Sequence, residues 1–338
     1  MTDTVTETPV RPSPPARPSL RQLAWVVWRQ HRTAVLAITA VLLICALIML
    51  WEGLRMHADF RQLDLADCLP GLSHQGPHCS TRVDAFGHDQ NRATQLTACF
   101  LPLPVLFGLF LGAPLLAREY ESGSFRFAFT QGVGRTRWLV TKLLLLGAFT
   151  LVATLAFTLV VVWWYGPLVA LNGRLGAGTV FEIYGPVFVA RALFAFTLGV
   201  LVGALVRRTV AAIAVTLAVW IGVVALAIAV LRAHLLPPLT ALNSTVPGQP
   251  WILTDTWTSP TGQRLTTTQV SDLQYNAALA GHKLDNLQYL AQKGYHQVMT
   301  YQPASRFWPF QWIETSALAL LAAGFAAAAV WLIRRRAT

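Results

Sequence analysis

Charge is scarce in this 338-residue chain: 12% of its residues are charged, and only three of its 26 basic residues are lysines (Lys142, Lys283 and Lys293). Acids are fewer still, 15 in all, which leaves a net charge of +11. In a soluble chain that excess would suggest nucleic acid. Here it sits in short segments beside long apolar runs, where it reports membrane topology, so no nucleic-acid partner is expected. The sequence contains no GxxxxGK[ST] phosphate loop, which argues against ATP hydrolysis by this chain. It also lacks HExxH, CxxC and GxSxG, the marks of zinc-protease, dithiol and serine-hydrolase chemistry, and is not read as an enzyme.

What is abundant is hydrophobic residues, 54% of the chain. They gather in runs of roughly twenty, the length at which a helix rising 1.5 Å per residue crosses the ~30 Å hydrocarbon core. The expected architecture is an all-α polytopic membrane protein with six transmembrane helices, at about 33–51, 98–117, 139–165, 186–206, 209–231 and 312–333. Residues 1–20, rich in Pro, Thr and Ser, read as a disordered tail. Residues 21–32 mix Arg21, Arg29 and Arg32 with Trp25 and Trp28 and read as an interfacial amphipathic helix, the alternative being the start of the first spanning helix. Residues 33–338 then form the membrane domain.

Basic residues assign the sides. Arg118, Arg126, Arg135, Arg137 and Lys142 crowd the connection between the second and third runs, Arg207 and Arg208 the hairpin between the fourth and fifth, and Arg334, Arg335 and Arg336 the end of the sixth. By the positive-inside rule these segments and both termini are cytoplasmic. Residues 52–97, with four arginines against six acids, and residues 232–311 then become extracytoplasmic insertions. In the first insertion Cys68 and Cys79 can pair in an oxidising compartment, which would stabilise the fold by ~3 kcal/mol on the chain-entropy model. The rival is a metal held by His74, His78 and Cys79, disfavoured by Gly76 and Pro77 between the histidines, and no metal site is expected. In the second insertion five prolines (237, 238, 247, 250 and 260) predict turns, and Leu273, Ala277, Ala280, Leu284, Leu287 and Ala291 predict one helical stripe stopped at Gly294.

Within the runs, Pro102, Pro104 and Pro114 predict a kinked second helix packed inside protein. The pairs Gly108/Gly112 and Gly199/Gly203 allow close helix approach, either within one subunit or between two. Arg191 lies inside the fourth run near its outer end. It is expected to be an interfacial anchor or a partner for Glu52 or Glu314, with a substrate contact as the alternative.

The charged connection has a pattern of its own. Arg118, Glu119, Glu121 and Gly123 lead into Phe125, Phe127 and Phe129, then Gly134, Arg135 and Arg137, with Lys142 opening the next helix. This layout resembles the loop between the second and third helices of ABC-2 type ABC-transporter permeases, especially an actinobacterial group that begins with a segment like Trp28 to Arg32. The resemblance implies a short coupling helix docking on a separate ABC ATPase, with ATP and Mg on that subunit and no cofactor on this chain. It also implies a second permease copy or a paralogue, a bacterial plasma-membrane location, and export. The alternative reading is a membrane sensor or accessory protein that binds a ligand or partner through its outer segments.

Overall fold

The computed structural model describes residues 19–69, 78–123, 134–175, 180–243, 246, 249–281 and 286–335. Among these, six helices are long and apolar enough to cross a membrane. They run over Leu20–Gln62, Gly87–Glu121, Arg135–Trp164, Pro186–Val206, Thr209–His234 and Phe307–Arg335.

The first helix is a single element of 43 residues, so no separate interfacial helix forms over 21–32. The reason is local. Ser19 and Gln22 make a reciprocal capping box that starts the helix, and neither Gly nor Pro interrupts the chain before Gly53. The aromatic and basic residues at 21–32 are therefore its first three turns, and its far end runs eleven residues beyond the expected boundary at Trp51.

The fourth helix is the core. Of its most apolar window 78% is buried, against 11% for the fifth helix and 22% for the first and the sixth. The second helix packs against it backbone to backbone. A Cβ on Gly108 would meet the Ala195 carbonyl oxygen at 2.5 Å, one on Gly199 the Gly108 oxygen at 2.5 Å, and one on Gly203 the Ala113 oxygen at 2.5 Å. The two glycine pairs thus face each other inside one chain. Pro102 separates Gly87–Phe100 from Leu103–Phe107, and Gly108–Gly112 forms a π turn, so the second helix bends where it meets the fourth.

The all-α expectation fails between the fifth and sixth helices. Residues 239–302 build an antiparallel sheet of β1 (Leu239–Leu242), β2 (Trp251–Thr258) and β3 (His296–Gln302) in the order β1-β3-β2. The five prolines fall before β1, between β1 and β2, and after β2. They bound strands rather than filling a structureless loop, while the Thr- and Trp-rich β2 suits an extended, half-buried chain. The expected stripe contains two short helices, Thr267–Leu279 and Asn286–Gln292, with Ala280 already non-helical as the C-cap of the first. Trp257 from β2, Ala277 and Leu290 make a separate small core under them. Gly294 follows the second helix at φ +85°, a conformation that favours glycine.

Candidate functional site

The charged connection is held at its roots. The second helix ends at Glu121 with Ser122 as its C-cap, and Gly123 follows at φ +68°, the left-handed position that commonly closes a helix. One turn earlier, Glu119 forms an ion pair with Lys142 of the third helix. The Lys142 side chain is 1% exposed, and its ammonium lies 4.3 Å from the Trp138 ring centroid. Glu121 reaches the fifth helix instead: its Oε2 accepts the Thr209 backbone N–H at 3.0 Å. A carboxylate at that position satisfies an orphan donor and complements the positive end of the helix dipole. Arg207 turns the hairpin in the left-handed region, at φ +60°, with its guanidinium 5.4 Å from the Tyr120 ring centroid. The end of the second helix is thereby tied to the third, the fifth and the hairpin between the fourth and fifth.

At the opposite end lies a closed quartet of buried charges. Arg191 bridges Glu182 and Glu314, and Arg232 bridges the same two carboxylates, with Arg232 Nη2 3.0 Å from Glu314 Oε2. All four residues are buried, two positive against two negative. The Arg232 guanidinium also stacks on Phe181 at 3.9 Å. The four come from the short helix Val180–Ile183 and the fourth, fifth and sixth spanning helices. Each charge faces two of opposite sign, which offsets a desolvation cost that no single pair would meet. Beside it Gln311 donates from Nε2 to the Phe181 and Tyr184 carbonyls and accepts from the Val187 N–H, fixing the short helix against the sixth.

A six-helix chain with a short, tethered, charged connection matches the family model of ABC-2 membrane transporter related proteins over residues 39–232. That is more than half of the chain. The chain belongs to the ABC-2 membrane transporter related family. It is a multi-pass membrane transport protein of the ABC permease class, a family whose ATPase is a partner subunit. The matched residues end at Arg232, so the sheet subdomain and the sixth helix lie beyond them. No curated protein and no solved structure matches the chain.

The sequence-predicted residues of this permease fall into three groups. Arg118, Glu119, Glu121, Gly123 and Arg137 stand at the two roots of the connection. Phe125, Phe127 and Phe129 lie outside the described residues, as does the Arg135 side chain. The two carboxylates, Glu119 and Glu121, make contacts inside the chain. Arg191 meets Glu314, but Glu52 does not join them; it lies 3.8 Å from Arg92, an exposed residue of the second helix. The reason is topological, since the sixth helix packs mainly against the fourth, which carries Arg191, and the first mainly against the third. Cys68 and Cys79 form a disulfide, which removes Cys79 from any metal-ligand set; His74 lies outside the described residues.

Sequence reasoning missed Glu182 and Arg232. Both bound apolar segments, where a charge ordinarily marks the membrane surface. The π turn Ala227–Leu231 immediately precedes Arg232 and changes the helical register, so that a residue at the end of an exposed helix points inward. One signal was available: Glu182 and Arg174 are the only charges between Gly166 and Gly185.

Proposed function

We propose that this permease couples ATP hydrolysis on separate ABC ATPase subunits to export across a bacterial plasma membrane, working as two copies or with a paralogue, both termini cytoplasmic. The observation that carries this reading is the pair of tethers from the second helix: Glu119 to Lys142 and Glu121 to the Thr209 N–H. A force applied by an ATPase to the 122–134 connection would reach the second, third and fifth helices together rather than being absorbed by a loose loop. The orientation is supported by Arg118, Arg137, Lys142, Arg207, Arg208, Arg334 and Arg335, which belong to the same end of the bundle. ATP and Mg belong to the partner in this reading.

The test is co-expression with an ABC ATPase and reconstitution in vesicles. Glu119→Lys places two cations together and is expected to abolish transport-stimulated ATP hydrolysis while the ATPase still co-purifies. Glu119→Lys combined with Lys142→Glu restores the pair and should recover part of the coupling. Normal coupling in a folded Glu119→Lys protein would overturn the proposal. The sheet subdomain, with its own core and outside the family-matched residues, favours a second reading as a sensor or accessory protein. Replacing residues 247–294 by a short linker separates the two, because a transporter keeps ATPase stimulation and a sensor loses its response.

A further inference from the structure

A crevice of about 400 Å³ opens between the start of the first helix and the end of the second, with Lys142 of the third helix in its wall. Phe110, Pro114, Arg118 and Ser122 recur at four-residue steps, so one face of the second helix lines it over ~18 Å at 1.5 Å per residue. The first helix contributes Arg29, His31 and Thr33. Three cations, Arg29, Arg118 and Lys142, thus stand against one carboxylate, Glu119, and that carboxylate is already paired with Lys142. Arg29 and Arg118 have no carboxylate partner among the described residues, which leaves a local excess of two positive charges. The adjoining connection cannot supply the balance: residues 124–133 contain no acid and add Arg126.

Two further features suit an anion. His31 Nε2 is shielded from solvent and has no hydrogen-bond partner among the described residues, so a donor stands in the wall with nothing to donate to. The Arg29 guanidinium lies 5.3 Å from the Trp25 ring centroid, a cation–π contact that orients it while leaving its N–H edges open.

We propose that this crevice binds a phosphate group, held by Arg29, Arg118 and the Nε2–H of His31. Two planar guanidinium groups and an imidazole come from two helices, and tetrahedral phosphate offers three or more acceptor oxygens to such a set where a carboxylate offers two. A phosphate dianion also offsets the excess of two positive charges, which a neutral or cationic ligand would not. An acidic side chain on a partner protein would meet the exposed arginines at the surface and leave the shielded His31 nitrogen without an acceptor. Free phosphate and a lipid headgroup share the chemistry required.

The experiment uses the full chain in detergent, stripped of lipid and titrated calorimetrically at constant ionic strength with inorganic phosphate, dihexanoyl phosphatidic acid or dihexanoylglycerol. The last two differ only by the phosphate, and phosphatidic acid is expected to bind at least tenfold more tightly. Arg29→Gln with Arg118→Gln should weaken every phosphate-bearing ligand at least tenfold and leave dihexanoylglycerol unchanged. Thr33→Trp, which occludes the crevice and keeps every charge in place, should weaken the same ligands by a similar factor, and it decides should the arginine variant fail to fold. Inorganic phosphate binding without the lipid assigns the site to free phosphate, phosphatidic acid binding without inorganic phosphate assigns it to a headgroup, and competition between them assigns one site to both. Two results overturn the proposal: neither inorganic phosphate nor phosphatidic acid binding more tightly than dihexanoylglycerol, or phosphate binding that survives both the arginine and the Thr33→Trp substitutions.

Discussion

Arg191, Arg232, Glu182 and Glu314 show how charge is tolerated inside an apolar bundle. Each is nearly inaccessible, and each touches two residues of opposite sign. Removing one member leaves a net charge in place, whereas removing an opposed pair leaves the quartet neutral. Arg191→Met is therefore expected to destabilise the protein by about 3–5 kcal/mol, as breaking buried pairs does. Arg191→Met combined with Glu314→Gln should cost less than the sum of the single changes, because Glu182 and Arg232 still neutralise each other. Thermal unfolding of the four proteins in one detergent measures the cycle, and strict additivity would show that the quartet is not energetically coupled.

At the scale of elements, the second and fourth helices approach so closely that glycine is required. A Cβ at Gly199 would lie 2.5 Å from the Gly108 oxygen and 2.7 Å from the Ala113 nitrogen, both backbone atoms that cannot rotate away. Gly199→Val is expected to cost about 1–3 kcal/mol or more by overpacking. Gly324→Ala in the sixth helix meets nothing within 4 Å and should be neutral or gain up to about 1 kcal/mol from helix propensity. Unfolding temperatures of the two variants moving in the same direction would contradict this contrast. A second element-scale device is the Cys68–Cys79 disulfide, which closes the short 3-10 turn Leu65–Cys68 onto the helix Cys79–Ala85. Cys68→Ser with Cys79→Ser is expected to cost up to ~3 kcal/mol on the chain-entropy model, read as a lower unfolding temperature under non-reducing conditions. Reductant should leave the double variant unchanged.

For the molecule as a whole, Gln302 provides polar contacts that join the sheet subdomain to the bundle among the described residues. Its buried amide donates to the Ala233 and Leu236 carbonyls at the end of the fifth helix, and its oxygen accepts from Arg306, which also donates to the Pro237 carbonyl. Gln302→Ala leaves those carbonyls unpaired, at about 1–3 kcal/mol. The subdomain should then open more readily, giving faster amide exchange at 233–242 and 296–306 and little change in the fourth helix. Uniformly faster exchange through the bundle would show instead that subdomain and bundle unfold as one unit.

Hydrophobic run length and charge placement determined the number of membrane-spanning helices and the charged connection, because a bilayer imposes both rules on any chain that crosses it. The glycine pairs and the helix-breaking prolines were legible for the same reason, as they act through the backbone. The strands at 239–302 were not. Five prolines predict turns equally well in a loop and between strands, and β3 closes the sheet only by pairing with chain some fifty residues earlier. The quartet was half legible: Arg191 and Glu314 stand out as charges in apolar segments, while Glu182 and Arg232 resemble ordinary boundary residues. Only the tertiary structure, through a π turn and the convergence of four helices, decided which boundary charges turn inward. Likewise, it alone gave Glu119 and Glu121 their partners, since an ion pair 23 residues long in sequence and a cap 88 residues long depend on which helix ends meet.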